Sequence, residues 1–258
     1  MTILDKIVEK KRSEIEALKK TGILEPPGEP APRRGFKEAL ITRPGVSIIA
    51  EAKKASPSKG LLCPEFDPVA IARDYEEAGA RAISVLTDEH FFQGSLQYLF
   101  EVRYNISLPV LRKDFILDHI QVEEADKWGA DAILLIVAVL EQDRLSDLLE
   151  DARARGMDVL VEIHDEYEAE RALSVEADLI GINNRNLKDF SVSIDTTLRL
   201  RQIIPAAIPV VSESGIRGRK DIEILVANDV EAVLIGETLV TAQDRKAKLQ
   251  EFLTEQAG

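Results

Sequence analysis

Several short segments of the chain end in residues able to move protons or hold anions. Glu51 and Lys53 are two positions apart in IIAEAKK, as are Lys113 and Phe115 in LRKDF and Asn183 and Arg185 in GINNR. Glu162 lies near the end of VLVEI, and Glu213 with Ser214 closes VVSES. In a strand, residues i and i+2 share a face, so each pair would project from one side. Carboxylates and ammonium groups confined together push one another's pKa values apart, which is how one pocket supplies an acid and a base near neutral pH. For any single pair, a salt bridge on a polar rim is an equally good account. Five such ends converging on one rim make that account weak.

The elements that would bring them together form a repeat. Short apolar runs occur at 46–50, 82–86, 108–112, 132–136, 158–163, 179–183, 208–212 and 232–236, each separated from the next by a polar break and an amphipathic stretch. This is the length and alternation of βα units. Helix punctuation agrees, with Pro68 opening one stretch and Gly79, Gly129 and Gly156 closing others. GARAISV at 79–85, GADAILL at 129–135 and EADLIGI at 176–182 share one helix-to-strand junction, the internal similarity expected of repeated units. An open doubly wound sheet that binds dinucleotides often carries a Gly-rich fingerprint after its first strand; here that strand leads into KKASPSKG. We therefore expect one (β/α)8 barrel domain across residues 1–258. Residues 46–258 form the barrel, and 1–45 form a helical extension too small for its own core that covers the catalytic end. Thr2 and Asp5 resemble a capping box opening the first helix, and the Pro/Gly-rich segment 21–32 is a connector.

In such barrels the chemistry sits at the C-terminal strand ends, and phosphate sits on the loops after strands 7 and 8. Those loops begin Ser214-Gly215 and Gly236-Glu237, where glycines would let backbone N–H groups approach an anion. Lys53 and Ser56 on the first loop could reach the same anion. Glu237 can contribute only its N–H, so its carboxylate is expected to turn away. A small phosphorylated metabolite is thus the expected partner. The net charge of −13 argues against nucleic acid and anionic membrane. No apolar run approaches the roughly 20 residues of a membrane span, the first residues lack a signal-peptide pattern, and Cys63 is the sole cysteine. These features fit a cytoplasmic protein.

Other candidates carry less. His164 among Glu162, Asp165 and Glu166 reads as a helix-capping neighbourhood rather than a metal centre, with His90 and His119 at unrelated positions. Cys63 reads as an ordinary thiol and Trp128 as packing, and the charge run at 141–155 reads as a solvated helix face.

With these residues in view, the chain resembles the indole-3-glycerol phosphate synthase family. The likeness runs nearly end to end, through IIAEAKKASPSKG, LTDEHFFQGS, VLRKDFILDHIQVEEADKWGADAILLI, LVEIHDE, IGINNRNL, VSESGI and IGETLV. It implies closure of the indole ring of 1-(2-carboxyphenylamino)-1-deoxyribulose 5-phosphate, with loss of CO2 and water, by a monomer without metal or organic cofactor. By this resemblance Lys113 is the general acid at the ketone oxygen, and Glu162 is the base of the later proton removal. Glu51 stabilises cationic character in the anilino system. Lys53 holds the carboxylate or phosphate and is a candidate donor to the departing hydroxyl. Asn183, Arg185, Glu213 and Ser214 orient the ribulose hydroxyls and carboxylate. Ser56, Gly215, Gly236 and the backbone of Glu237 hold phosphate. Pro57, Phe92, Phe115 and Leu134 form the apolar slot for the ring. A phosphosugar isomerase barrel and a non-catalytic phosphate-binding barrel are the alternatives.

Overall fold

The computed structural model describes residues 2–29, 31–42, 45–186 and 191–253; Pro30 of the connector and Leu187 of the IGINNRNL segment lie outside them. Among the described residues, eight parallel strands close into a barrel: β1 (Ser47–Ala52), β2 (Ala82–Leu86), β3 (Val110–Lys113), β4 (Ala132–Ile136), β5 (Asp158–Ile163), β6 (Ile180–Asn183), β7 (Val210–Glu213) and β8 (Ala232–Ile235). Each strand pairs with its neighbours in chain order, and β8 returns to β1. Helices α1 (Ile3–Thr21) and α2 (Phe36–Ile41) precede the barrel. Around it run α3 (Pro68–Ala78), α4 (Glu89–Phe92), α5 (Leu96–Asn105), α6 (His119–Lys127), α7 (Gln142–Ala154) and α8 (Glu166–Ser174). The circuit finishes with α9 (Asp195–Arg201), α10 (Arg219–Val226), α11 (Glu237–Val240) and α12 (Arg245–Leu253).

The strands are buried along nearly their whole length because helices cover the outside and side chains fill the inside. Ile49, Leu111, Leu160 and Val211, one from each odd-numbered strand, pack in the interior with Ala82, Ala132, Leu134, Leu179, Ala232 and Leu234. This is the alternate-strand layering of such barrels. Moving two residues toward the C-terminal end keeps the same face, so the next layer of the odd strands is Glu51, Lys113, Glu162 and Glu213. The chemistry is therefore the continuation of the core by one pleat.

The N-terminal extension is a strap reaching both ends of the barrel. Thr2 and Asp5 cap α1 reciprocally, as their spacing predicts. Ile3, Leu4 and Ile7 line the cavity at the C-terminal end, so α1 covers the catalytic mouth. Its anchor is Lys11, buried, whose Nζ lies 2.9 Å from both Asp88 Oδ2, beyond β2, and Asp114 Oδ1, beyond β3. The connector then descends the outside. Trp128 Nε1 donates to the Leu24 carbonyl at 3.2 Å, and Lys127 pairs with Glu25 at 2.5 Å. Trp128 thus docks the connector as well as packing against Phe100. The expectation of a cover over the catalytic end accounts only for α1. Helix α2 closes the opposite end, with Phe36 and Leu40 buried against the interior layer. The Lys37 N–H donates to Asp158 Oδ2 at 2.9 Å, and Ser47 Oγ donates to the Leu40 carbonyl at 2.7 Å.

Candidate active site

A cavity of about 560 Å³ opens at the C-terminal strand ends, and every residue given a catalytic, phosphate or ring-binding role from the sequence lines it, whereas His164, Cys63 and Trp128 do not. At its floor Lys113 Nζ lies 3.0 Å from Glu162 Oε2 and 2.5 Å from Glu213 Oε2. Asn183 Nδ2 donates to the other oxygen of Glu162, Oε1, at 3.2 Å. Lys53 Nζ lies 2.6 Å from Glu51 Oε2. Two ammonium groups thus face three nearly buried carboxylates.

That imbalance sets the protonation states. Burial alone would depress the pKa of Lys113, but Glu162, Glu213 and Glu51 overcome it and hold the ammonium well above the ordinary lysine range. Burial would raise Glu162, yet Lys113 and His164 hold its carboxylate well below the usual range. Glu213 is the surplus carboxylate. Burial pushes it up, Lys113 pulls it down, and the neighbouring Glu162 and Glu51 push it up again, to about 7. One acid near neutrality therefore stands beside a firmly charged pair, the separation of pKa values expected of acid–base sites.

Two glycines make room for these groups. A Cβ on Gly236, just beyond β8, would overlap the Glu51 carboxylate and stand 3.0 Å from Lys53 Nζ. A Cβ on Gly181 of β6 would overlap Glu213 Oε1. Gly236 was singled out for phosphate, but its lack of a side chain also shapes the seat of the Glu51–Lys53 pair.

The loop after β1 folds back as a two-residue hairpin, Ala55–Ser56 against Gly60–Leu61, with the turn at Gly60 in the left-handed region. This carries Ser56, Pro57 and Lys59 over the cavity. Ser56 Oγ is shielded from solvent with no hydrogen-bond partner among the described residues. Across the cavity, Ser214 and Gly215 both have positive φ, 68° and 82°, turning successive backbone units around one concavity. Asn184 fixes that turn: its Nδ2 donates to the Ser214 carbonyl and to Ser212 Oγ, both at 3.0 Å, and its Oδ1 accepts from Thr197. The Glu237 carboxylate, half exposed, sits 3.8 Å from Lys59 Nζ, so a cation on the first loop answers it. Asn183 Oδ1 accepts the Arg185 N–H at 3.0 Å, and Arg185 reaches the cavity wall. The apolar side is formed by Phe92 and Phe115, ring centroids 6.1 Å apart, with Pro57, Leu86, Leu134 and Ile136.

The supports of this site were not among the residues expected from the sequence. Asp114 lines the cavity and is held by Lys11, by Thr87 Oγ1 at 2.5 Å and by Arg112 at 3.2 Å. Its place beside Lys113 in RKDF was the available signal. His164 lies in a helix-capping neighbourhood, as expected: Asp165 caps α8, the Glu168 carboxylate accepts the His164 N–H, and the His164 ring also approaches Glu162. Cys63 is buried and free. No described helix is long and apolar enough to cross a membrane.

The chain matches known proteins over nearly its whole length. A model of the family described as "Indole-3-glycerol phosphate synthase" matches residues 4–252. The chain is 55% identical over 242 residues to the indole-3-glycerol phosphate synthase of Desulfotalea psychrophila, covering 92% of this chain and 93% of that one. It is 50% identical over 260 residues to that of Desulforamulus reducens, with 97% of each covered. Among solved structures, N-acetylmannosamine-6-phosphate 2-epimerase from Clostridium perfringens superposes with a TM-score of 0.63 at 14% identity, covering 82% of this chain and 93% of that one. A chain of the tryptophan synthase complex from Pyrococcus furiosus gives 0.59 at 17%, covering 80% and 97%. These two likenesses show the barrel alone, whereas the full-length sequence identity goes further. The chain belongs to the indole-3-glycerol phosphate synthase family, the carboxy-lyases of tryptophan biosynthesis.

Proposed function

We propose that the cavity closes the indole ring of 1-(2-carboxyphenylamino)-1-deoxyribulose 5-phosphate with Lys113 as general acid and Glu162 as base. The observation that carries this reading is the Lys113–Glu162 pair at 3.0 Å on the cavity floor, flanked by apolar rings on one side and by anion-binding turns on the other. Phosphate occupies the turns at Ser214-Gly215 and Gly236-Glu237 with Ser56 Oγ facing it, where unengaged donors suit an anion. The anthranilate ring lies between Phe92, Phe115, Leu134 and Pro57. This span leaves the ribulose ketone over the floor.

Lys113 then protonates the ketone oxygen as the ring carbon bearing the carboxylate attacks. Loss of CO2 is favoured where the carboxylate is poorly solvated, and the apolar wall supplies that environment. Lys53 donates a proton to the departing hydroxyl, and Glu162 takes the proton whose removal restores aromaticity. Glu51 stabilises positive charge developing on the anilino nitrogen. Asn183, Arg185, Glu213 and Ser214 orient the hydroxyls and the substrate carboxylate. The reading includes a cytoplasmic enzyme working as a monomer.

The test is direct: purified protein mixed with the carboxyphenylamino-deoxyribulose phosphate should develop indole fluorescence. Well-folded protein giving none would refute the assignment. Borohydride added during turnover should leave no covalent adduct on Lys113; an adduct would make it a Schiff-base lysine.

A further inference from the structure

His164 has no part in the reaction as derived above, and its ring does not line the cavity. It follows Ile163 at the end of β5 and is nearly buried between that strand and α8. Nδ1 lies 3.0 Å from Glu168 Oε2, and the backbone N–H of His164 donates to the same oxygen at 2.8 Å. Glu168 is fixed in turn, because its own N–H donates to Asp165 Oδ1 at 2.9 Å. The far nitrogen, Nε2, faces Glu162 Oε1 at 3.4 Å, an ion-pair contact rather than an aligned hydrogen bond.

A neutral imidazole has one N–H and one lone pair. With Nδ1–H directed at Glu168, a neutral ring would turn its Nε2 lone pair toward the oxygen of Glu162, which repels it. Carboxylates at both nitrogens require the doubly protonated ring, which turns an N–H toward each. We propose that His164 is a positioning residue: an imidazolium clamped between Glu168 and Glu162 that holds the Glu162 carboxylate ionised and aimed when Lys113 leaves it for the substrate.

The need arises from the free site. Glu162 has Lys113 on Oε2 and Asn183 on Oε1. Once Lys113 turns to the ketone oxygen, Glu162 would keep only a neutral amide and stand buried without a counter-charge, which is costly. His164 supplies the remaining cation from outside the cavity, where substrate does not displace it. The charged groups facing its ring are Glu162 from β5 and Glu168 from α8, with Lys113 of β3 behind Glu162. Burial would depress the imidazole, but the carboxylates of Glu162 and Glu168 beside it raise it to about 10.

This proposal rests on Glu162 being the base, and its test has a readout independent of turnover. Nitrogen NMR of the full-length protein at about pH 8, where an ordinary histidine is neutral, should show His164 protonated on both nitrogens. Glu168→Gln should return it to the neutral form. The kcat of Glu168→Gln and of His164→Gln should fall about 10-fold or more, with KM changed less than about twofold. A neutral His164 ring in the wild-type protein, or unchanged kcat in both variants, overturns the proposal. An unaltered protein without turnover overturns the catalytic reading beneath it, whereas turnover with a neutral ring overturns this proposal alone.

Discussion

Lys113 Nζ and Glu162 Oε2 stand 3.0 Å apart in the site without substrate. In that state the lysine is a poor acid and the glutamate a poor base, because each stabilises the charged form of the other. In the proposed reaction, substrate would change this by bringing its ketone oxygen to Lys113 and drawing the ammonium away from Glu162. Separated from Glu162, the ammonium gives up its proton more readily, and the carboxylate accepts one more readily. On the proposed mechanism the resting ion pair would hold both groups correctly charged until ligand parts them.

The strap makes a first prediction. Lys11 joins α1 to the loops of β2 and β3 through Asp88 and Asp114, all nearly buried. Lys11→Met leaves those carboxylates facing each other without that cation; Arg112 remains beside Asp114 only. Breaking a buried pair from one side costs about 3 kcal/mol, so thermal melting should show Tm lower by roughly 10 °C. kcat/KM should fall as well, since Asp114 adjoins Lys113 and α1 lines the cavity. An unchanged Tm would show that the buried lysine does not latch the extension.

Gly236→Ala separates function from folding. The added Cβ overlaps the tip of Glu51, a movable side chain, and the backbone at Gly236 has an ordinary negative φ. Melting should therefore stay near that of the parent. Displacing the Glu51–Lys53 pair should lower kcat/KM by about 10²-fold. Full activity in the variant would mean that the pair can shift without consequence.

Glu213 gives a pH dependence with a defined sign. Its folded pKa of about 7 lies above its ordinary value, so it is neutral below that pH and an anion above it. The anion adds a negative charge beside an anionic substrate, and KM should rise as pH increases through about 7. The substrate phosphate titrates near pH 6 in any variant, so the informative quantity is a difference. KM of Glu213→Gln should lack the rise that the parent shows. Matching profiles would assign the titration elsewhere.

The floor of the site was legible because it obeys the strand period. Ile49 to Glu51, Leu111 to Lys113, Leu160 to Glu162 and Val211 to Glu213 are each one pleat along the same inward face. Lys11 could not be read this way. On sequence it is one lysine among several in a polar helix, and its partners Asp88 and Asp114 become neighbours only when β2 and β3 lie side by side. The six-residue α2 was hidden for a similar reason: FKEALI is too short to form by propensity, and it exists because Phe36 and Leu40 plug the barrel while Asp158 binds its first turn. His164 was visible but read as a cap, because spacing shows the proximity of Glu168 and cannot show that Nε2 turns toward Glu162.

In the proposed mechanism Lys113 is an acid in the transition state rather than an anchor for the substrate. Steady-state turnover of Lys113→Ala, followed by indole fluorescence and paired with substrate binding by calorimetry, tests it most directly. With Lys113 as the acid, kcat should be lower by about 10²-fold or more with binding largely kept. Binding lost in proportion, with kcat at saturation near that of the parent, would contradict it and make Lys113 an anion ligand.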